Sequence, residues 1–250
     1  MALKYGPKFL AALSALLRYR APELTTQHLG TFMSLALFDL DNTLIAGDSD
    51  HLWGDFLVAQ GRVDGREHKA LNAHFYELYK KGELDIDEYL AFALGPMAGM
   101  TPKSLAPLQR QFLRDHIEPI LLDAAFDLLQ KHRVLGDTLV IITATNTLVT
   151  QPIASRLGVE HLIGCEAEII DGRYTGKPTG LPSFAEGKVS RIEAWCEANN
   201  QSMDSAVFYS DSHNDLPLLR VVDRPVAVDP DDRLREEASN RGWDIISLRD

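Results

Sequence analysis

Hydrophobic and polar positions alternate along this chain with two different periods. Ser34-Leu35-Ala36-Leu37-Phe38 is a short unbroken apolar run that stops on Asp39, which predicts a strand covered on both faces and ending in polar residues. A polar turn leads to an amphipathic stretch from His51 to Gln60 closed by Gly61. Residues 66–133 then carry helical spacing throughout. Leu71, Phe75, Leu78 and Tyr79 fall on one face, Ile86, Tyr89, Leu90 and Ala93 on another, and segments 105–115 and 120–132 follow. Gly82, Gly95-Pro96 and Pro119 punctuate them.

Beyond residue 133 the period changes. Thr138-Leu139-Val140-Ile141-Ile142-Thr143 is apolar and rich in β-branched residues, as a central parallel strand requires. A helix at 147–157, a short strand near 161–163 and a hairpin at 166–175 turning on Asp171-Gly172 come next. Helix 188–198, strand 205–210, helix 214–220, strand 222–228 and helix 231–240 complete the series. The predicted fold class is α/β: a doubly wound parallel-sheet core formed by residues 33–61 and 134–250, split by a helical cap at 62–133.

Composition narrows the class. Of the 250 residues, 45% are apolar and 24% charged, which suits a globular enzyme-sized unit rather than a disordered chain. No apolar run approaches the roughly 20 residues of a membrane-spanning helix. The formal charge of −11 leaves no basic patch for a nucleic acid or an anionic membrane. It is uneven: residues 1–32 carry Lys4, Lys8, Arg18 and Arg20 against Glu23 alone, so the acidity lies in the remainder. The apolar stretch at 9–17 runs directly into Arg18 and Arg20 without a convincing cleavage site, which favours a short amphipathic helix over a signal peptide. Residues 1–32 are read as a non-catalytic extension and Met33 as the domain start. Cys165 and Cys196 have neither disulfide density nor metal-ligand spacing, and reduced thiols in a cytoplasmic protein are expected.

Candidate chemistry gathers where the predicted strands end, since open parallel sheets bind ligands outside their carboxyl edge. The clusters there are Asp39-Leu40-Asp41-Asn42-Thr43, Thr143-Ala144-Thr145-Asn146 and Ser210-Asp211-Ser212-His213-Asn214-Asp215, with Lys188 opening a helix between the last two. Converging carboxylates repel by several kcal/mol for close pairs even at an effective dielectric near ~20. A hard divalent cation such as Mg²⁺ relieves that repulsion, and a phosphate monoester would also call for the lysine. Alone, Asp41-Asn42-Thr43 could be a turn or helix cap. The ordered combination makes it a site.

The motifs Phe38-Asp39-Leu40-Asp41-Asn42-Thr43-Leu44, Ile142-Thr143-Ala144-Thr145, Gly187-Lys188 and Asp211-Ser212-His213-Asn214-Asp215 resemble those of the haloacid dehalogenase superfamily, in its phosphoserine-phosphatase-like branch. More locally, segment 35–54 resembles a bacterial group of histidinol-phosphatases. The resemblance implies that Asp39 attacks phosphorus and Asp41 serves as general acid and base. An Asp at the latter position marks phosphatases and excludes dehalogenation. It further implies that Thr143 and the Ala144 N–H bind phosphate, and that Lys188 neutralises it. Asp39, the Asp41 carbonyl and Asp211 would hold Mg²⁺, with Asp215 supporting from behind and Asn214 positioning substrate. His213 is read as a loop residue.

Substrate choice would belong to the cap. Asp48 stands where phosphoserine phosphatases place an ammonium-binding acid, while Ala93 falls where they place a carboxylate-binding arginine. An amine without a carboxylate fits that pair, and the expected partner is a small amine-bearing phosphorylated metabolite such as histidinol phosphate. Asp50, Glu77, Asp85, Asp87 and Glu88 are read mainly as a solvated helix face, and Trp53, Phe75, Tyr76, Tyr79 and Phe92 mainly as core. The alternatives are a phosphoserine phosphatase, a broader small-metabolite phosphatase, a phosphotransferase, and a non-catalytic phosphate-binding protein on the same fold.

Overall fold

Strand β1 (Leu35–Phe38) has every residue buried, because its alternate side chains feed two different cores. Ala36 and Phe38 join the cluster on one face of the sheet, while Leu35 and Leu37 join the cluster on the other. Strand β2 (Thr138–Asn146) divides in the same way, Leu139 and Ile141 against Val140 and Ile142. Both strands therefore read as continuous apolar runs. The computed structural model describes residues 34–249. The expectations about the helix and extension in 1–32 lie outside the described residues.

Strands β3 (His161–Ile170), β4 (Arg173–Thr179), β5 (Val207–Ser210), β6 (Arg224–Val228) and β7 (Asp244–Ile246) complete a sheet of order β4-β3-β2-β1-β5-β6-β7. All pairings are parallel except β3 with β4. The doubly wound α/β architecture is as expected. Two details differ. The strand near 161–163 and the first arm of the hairpin are one strand, which pairs with β2 through its first half and with β4 through its second. Gly164 makes this possible, since a Cβ there would lie 2.8 Å from the Thr145 carbonyl oxygen. Strand β7 went unpredicted because three residues are too few to show a period.

The helices are α1 (Ser49–Ala59), α2 (Gly65–Lys81), α3 (Ile86–Leu94), α4 (Pro102–Phe112), α5 (Asp123–Leu135), α6 (Thr147–Leu157), α7 (Glu186–Asn199), α8 (Leu216–Leu219) and α9 (Asp232–Arg241). Much of the acidity between 48 and 88 is capping chemistry. Asp48, Asp64 and Asp85 accept backbone N–H groups at the starts of α1, α2 and α3. The phase of α2 departs from expectation: Leu71 is 39% exposed, and the inward face carries His68, Asn72 and Phe75 at positions i, i+4 and i+7. Helix α5 extends past the boundary drawn at 133 and packs on the sheet. There His132 is buried between the Asp137 carboxylate at 2.7 Å and the Tyr209 hydroxyl at 3.0 Å, edge-on to Phe38. Among the described residues, no helix is long and apolar enough to cross a membrane.

Candidate active site

The ends of β1, β2 and β5 bring the three sequence clusters to one edge of the sheet. Asp39 directly follows β1, its N–H held by the Tyr209 carbonyl at 2.9 Å. Lys188, 2% exposed, donates to Asp39 Oδ1 at 2.8 Å and contacts both carboxylate oxygens of Asp215 at 2.7 and 2.8 Å. Ser210 Oγ donates to the same Asp215 carboxylate at 2.7 Å. The lysine gets so deep because helix α7 starts unusually close to the preceding loop: Gly187 touches it where a Cβ would stand only 2.1 Å from the Pro182 carbonyl oxygen.

Asp41 is oriented from two sides. Its Oδ1 accepts the Ser49 N–H at 2.6 Å, and its Oδ2 accepts Thr145 Oγ1 at 2.8 Å, with Thr143 Oγ1 farther off at 3.4 Å. Thr43 Oγ1 lies between Asp39 Oδ2 (3.4 Å) and Asp211 Oδ1 (3.1 Å) and accepts the Asp211 N–H at 3.1 Å. Ser49, Thr145, Thr43 and Ser210 are thus positioning residues that sequence reasoning did not single out. All four stood inside the quoted runs, where no signal set them apart from their neighbours.

The electrostatics show an excess of negative charge. Burial pushes the Asp39 carboxyl up to about 7 against the opposing pull of Lys188, with Asp215 and Asp41 adding to the rise. Burial and the Asp48 charge bring Asp41 to about 6. Asp211 is raised well above the carboxylate range by burial and by its neighbours Asp39 and Asp215. Burial works against the Lys188 charge, but Asp215 and Asp39 outweigh it and raise its pKa. Among the described residues, Lys188 is the single cation hydrogen-bonded to these four carboxylates. A second positive charge fits. Among the described residues no three acidic, histidine or cysteine side chains are grouped in metal-binding geometry. Two carboxylates and a main-chain carbonyl fit an ion that completes its shell with water and substrate oxygens, as Mg²⁺ does.

Above this edge lies a cleft of about 560 Å³, floored by Asp39, Asp41 and Thr143–Thr145 and roofed by cap residues including Tyr76, Tyr79 and Tyr89. Asp48 lines it while its Oδ1 accepts the His51 N–H at 2.8 Å, so the helix start holds this acid in place. Among the described residues, no lysine or arginine lines the cleft. Ala93 borders a smaller chamber behind it. One expected site residue faces elsewhere. Asn214 donates to the Tyr79 carbonyl at 3.1 Å, tying the fourth motif to the cap, and it does not line the cleft. His213 rests on Asp231 at 2.7 Å and borders an outer groove, in keeping with a loop role. Of the acids read as a solvated face, Glu77, Asp85, Asp87 and Glu88 are exposed and Asp50 is buried. Trp53 packs as core against Phe56 and Phe112.

Comparison with known proteins agrees with the geometry. Residues 36–220 match the family of haloacid dehalogenase-like hydrolases. The chain belongs to that family, and within it to the phosphatases that hydrolyse phosphomonoesters. Among its relatives is a protein named histidinol-phosphatase from Neisseria meningitidis, 42% identical over 220 residues that cover 86% of this chain and 99% of the relative. A crystal structure of a protein of unknown function from Bordetella pertussis Tohama I superposes with a TM-score of 0.81 at 45% identity, covering 86% of this chain and 98% of that one. A phospho-aspartyl intermediate analogue of phosphoserine phosphatase shares the fold, with a TM-score of 0.63 at 15% identity over 86% of this chain and 93% of that one.

Proposed function

We propose that this chain is a Mg²⁺-dependent phosphatase that works through an aspartyl-phosphate and acts on L-histidinol phosphate. The observation that carries the reading is the composition of the cleft: a nucleophile–acid pair, Asp39 and Asp41, beneath a cap pocket that holds Asp48 and His51 and, among the described residues, no lysine or arginine. An amine-bearing alcohol phosphate finds an anionic partner there, whereas a substrate carboxylate finds no lysine or arginine. The histidinol-phosphatase relative supports the same substrate.

In the first half-reaction an Asp39 carboxylate oxygen bonds to phosphorus as the bond to the leaving alkoxide breaks, and Asp41 donates a proton to that oxygen. In the second, Asp41 takes a proton from water, whose oxygen displaces Asp39 from phosphorus and releases inorganic phosphate. Lys188 keeps Asp39 aimed through Oδ1 and balances charge near the phosphoryl group. Thr143 and the Ala144 N–H bind phosphoryl oxygens from the floor of the cleft. Asp215 anchors Lys188, and Asp39, Asp211 and the Asp41 carbonyl are the groups that would hold Mg²⁺, which when bound supplies positive charge to the phosphoryl oxygens.

A steady-state screen of phosphomonoesters with Mg²⁺ tests the substrate. L-Histidinol phosphate should give the highest kcat/KM, and a value for L-phosphoserine at or above it refutes the assignment. Asp39→Asn should abolish turnover while the protein stays folded by circular dichroism. Absence of phosphate release from every monoester would indicate a non-catalytic phosphate-binding role.

A further inference from the structure

Unlike Asp48, Asp64 and Asp85, Asp50 caps no helix. It lies in the first turn of α1 and is 6% exposed. Its Oδ1 accepts Asn146 Nδ2 at 3.1 Å, and its Oδ2 is buried with no hydrogen-bond partner. Buried carboxylate oxygens are rarely left so, because desolvation without a donor is costly. The residue borders both the substrate cleft and the smaller pocket behind it. In that pocket His68 Nε2 is likewise buried and unpartnered. Burial first, then the Asp48 charge, push the Asp50 carboxyl up to about 8, and Tyr89 opposes the rise from outside hydrogen-bonding geometry. Such a group is poised for a donor or a cation.

We propose that Asp50 is a specificity-determining residue whose free Oδ2 accepts an N–H from a second nitrogen-bearing group of the substrate, while Asp48 faces the amine. The inference rests on the amine-phosphate reading above and adds a second point of recognition. Phe75, Tyr76 and Tyr89 line the same cleft, so a planar nitrogen heterocycle can lie among aromatic rings as it reaches Asp50. A purely structural role would need only Oδ1, which steadies Asn146 as the cap of α6. Asparagine at position 50 retains that acceptor and removes the charge, so Asp50→Asn separates the two roles.

The test is a kcat/KM comparison of wild type and Asp50→Asn on three phosphomonoesters: L-histidinol phosphate (amine and ring), phosphoethanolamine (amine alone) and p-nitrophenyl phosphate (neither). The variant should lose about tenfold to hundredfold on histidinol phosphate, mainly through KM, as expected for a lost hydrogen bond to a charged group. The other two substrates should change less than threefold. Equal losses on all three would make Asp50 structural, and no loss on histidinol phosphate would remove it from recognition; either result overturns the proposal. If Asp50→Asn melts early, Asp50→Ser supplies the same three ratios. A wild-type enzyme without preference for histidinol phosphate would refute the substrate reading and this inference together, whereas a preference that survives in the variant refutes this inference alone.

Discussion

Gly187→Ala is the most revealing perturbation of the catalytic geometry, because it adds one methyl group that makes no contact with the reacting atoms. The new Cβ would stand 2.1 Å from the Pro182 carbonyl oxygen, where real Cβ contacts essentially never fall under 3.0 Å. The helix start or the loop must give by about 1 Å. The loop resists, since Cys165 Sγ of β3 accepts the Ser183 N–H at 3.3 Å. Displacement therefore falls on the first turn of α7, which carries Lys188. Overpacking of this kind costs about 1–3 kcal/mol. At about 2–4 °C per kcal/mol for a chain of this size, Tm should fall by about 2–12 °C. A shift of about 1 Å in a catalytic group costs on the order of 100-fold in rate. Steady-state hydrolysis of p-nitrophenyl phosphate alongside thermal unfolding checks both numbers. A variant with kcat within twofold of wild type and unchanged Tm would refute the claim that this contact places Lys188.

Three further outcomes are expected. Lys188→Met leaves Asp39 and Asp215 buried without their shared cation, so it should destabilise by about 3–5 kcal/mol in urea titrations and abolish turnover; a variant as stable as wild type would contradict the ion-pair account. Burial lowers the His132 pKa below its ordinary 6.5, against the opposing effect of Asp137, so the folded state prefers the neutral imidazole. Its contribution to stability is present above pH 6.5 and is lost as pH falls through the folded-state value, and His132→Phe should flatten the urea-measured slope between pH 7.5 and 5.5. Leu71→Ser should alter stability by less than about 0.5 kcal/mol, whereas Phe75→Ala should cost about 3–5 kcal/mol, and a reversed order would restore the helix phase read from periodicity.

What could be read from the chain alone follows from how far each signal reaches. Strands β1 and β2 were legible because burial on both faces demands an uninterrupted apolar run, and the residues ending them are the ones the sheet edge collects. Asp39, Asp41, Lys188, Asp211 and Asp215 could be named in advance because each sits at a strand end or helix start with its own local signature. Phase and partnership were not legible in this way. Leu71 and Asn72 differ by one position on α2, yet the apolar one is exposed and the polar one buried, because packing against α1 decides which face turns inward. Asn214 carries a motif residue's identity but spends its amide on the Tyr79 carbonyl, a contact 135 residues away in sequence.

The acids of the cap-proximal segment mark the division most clearly. Composition establishes an acidic chain and a surplus of carboxylates near the first motif, and the resemblance to phosphoserine phosphatases is enough to propose Asp48 as a pocket residue. It cannot separate Asp85, an exposed helix cap, from Asp50, a buried carboxylate with a free oxygen. Sequence records which groups can be charged and which segments can be helices or strands, since those are properties of single residues and short windows. Which charge is desolvated, and which stays in water, depends on what the rest of the chain packs over it, and the tertiary structure alone decides that.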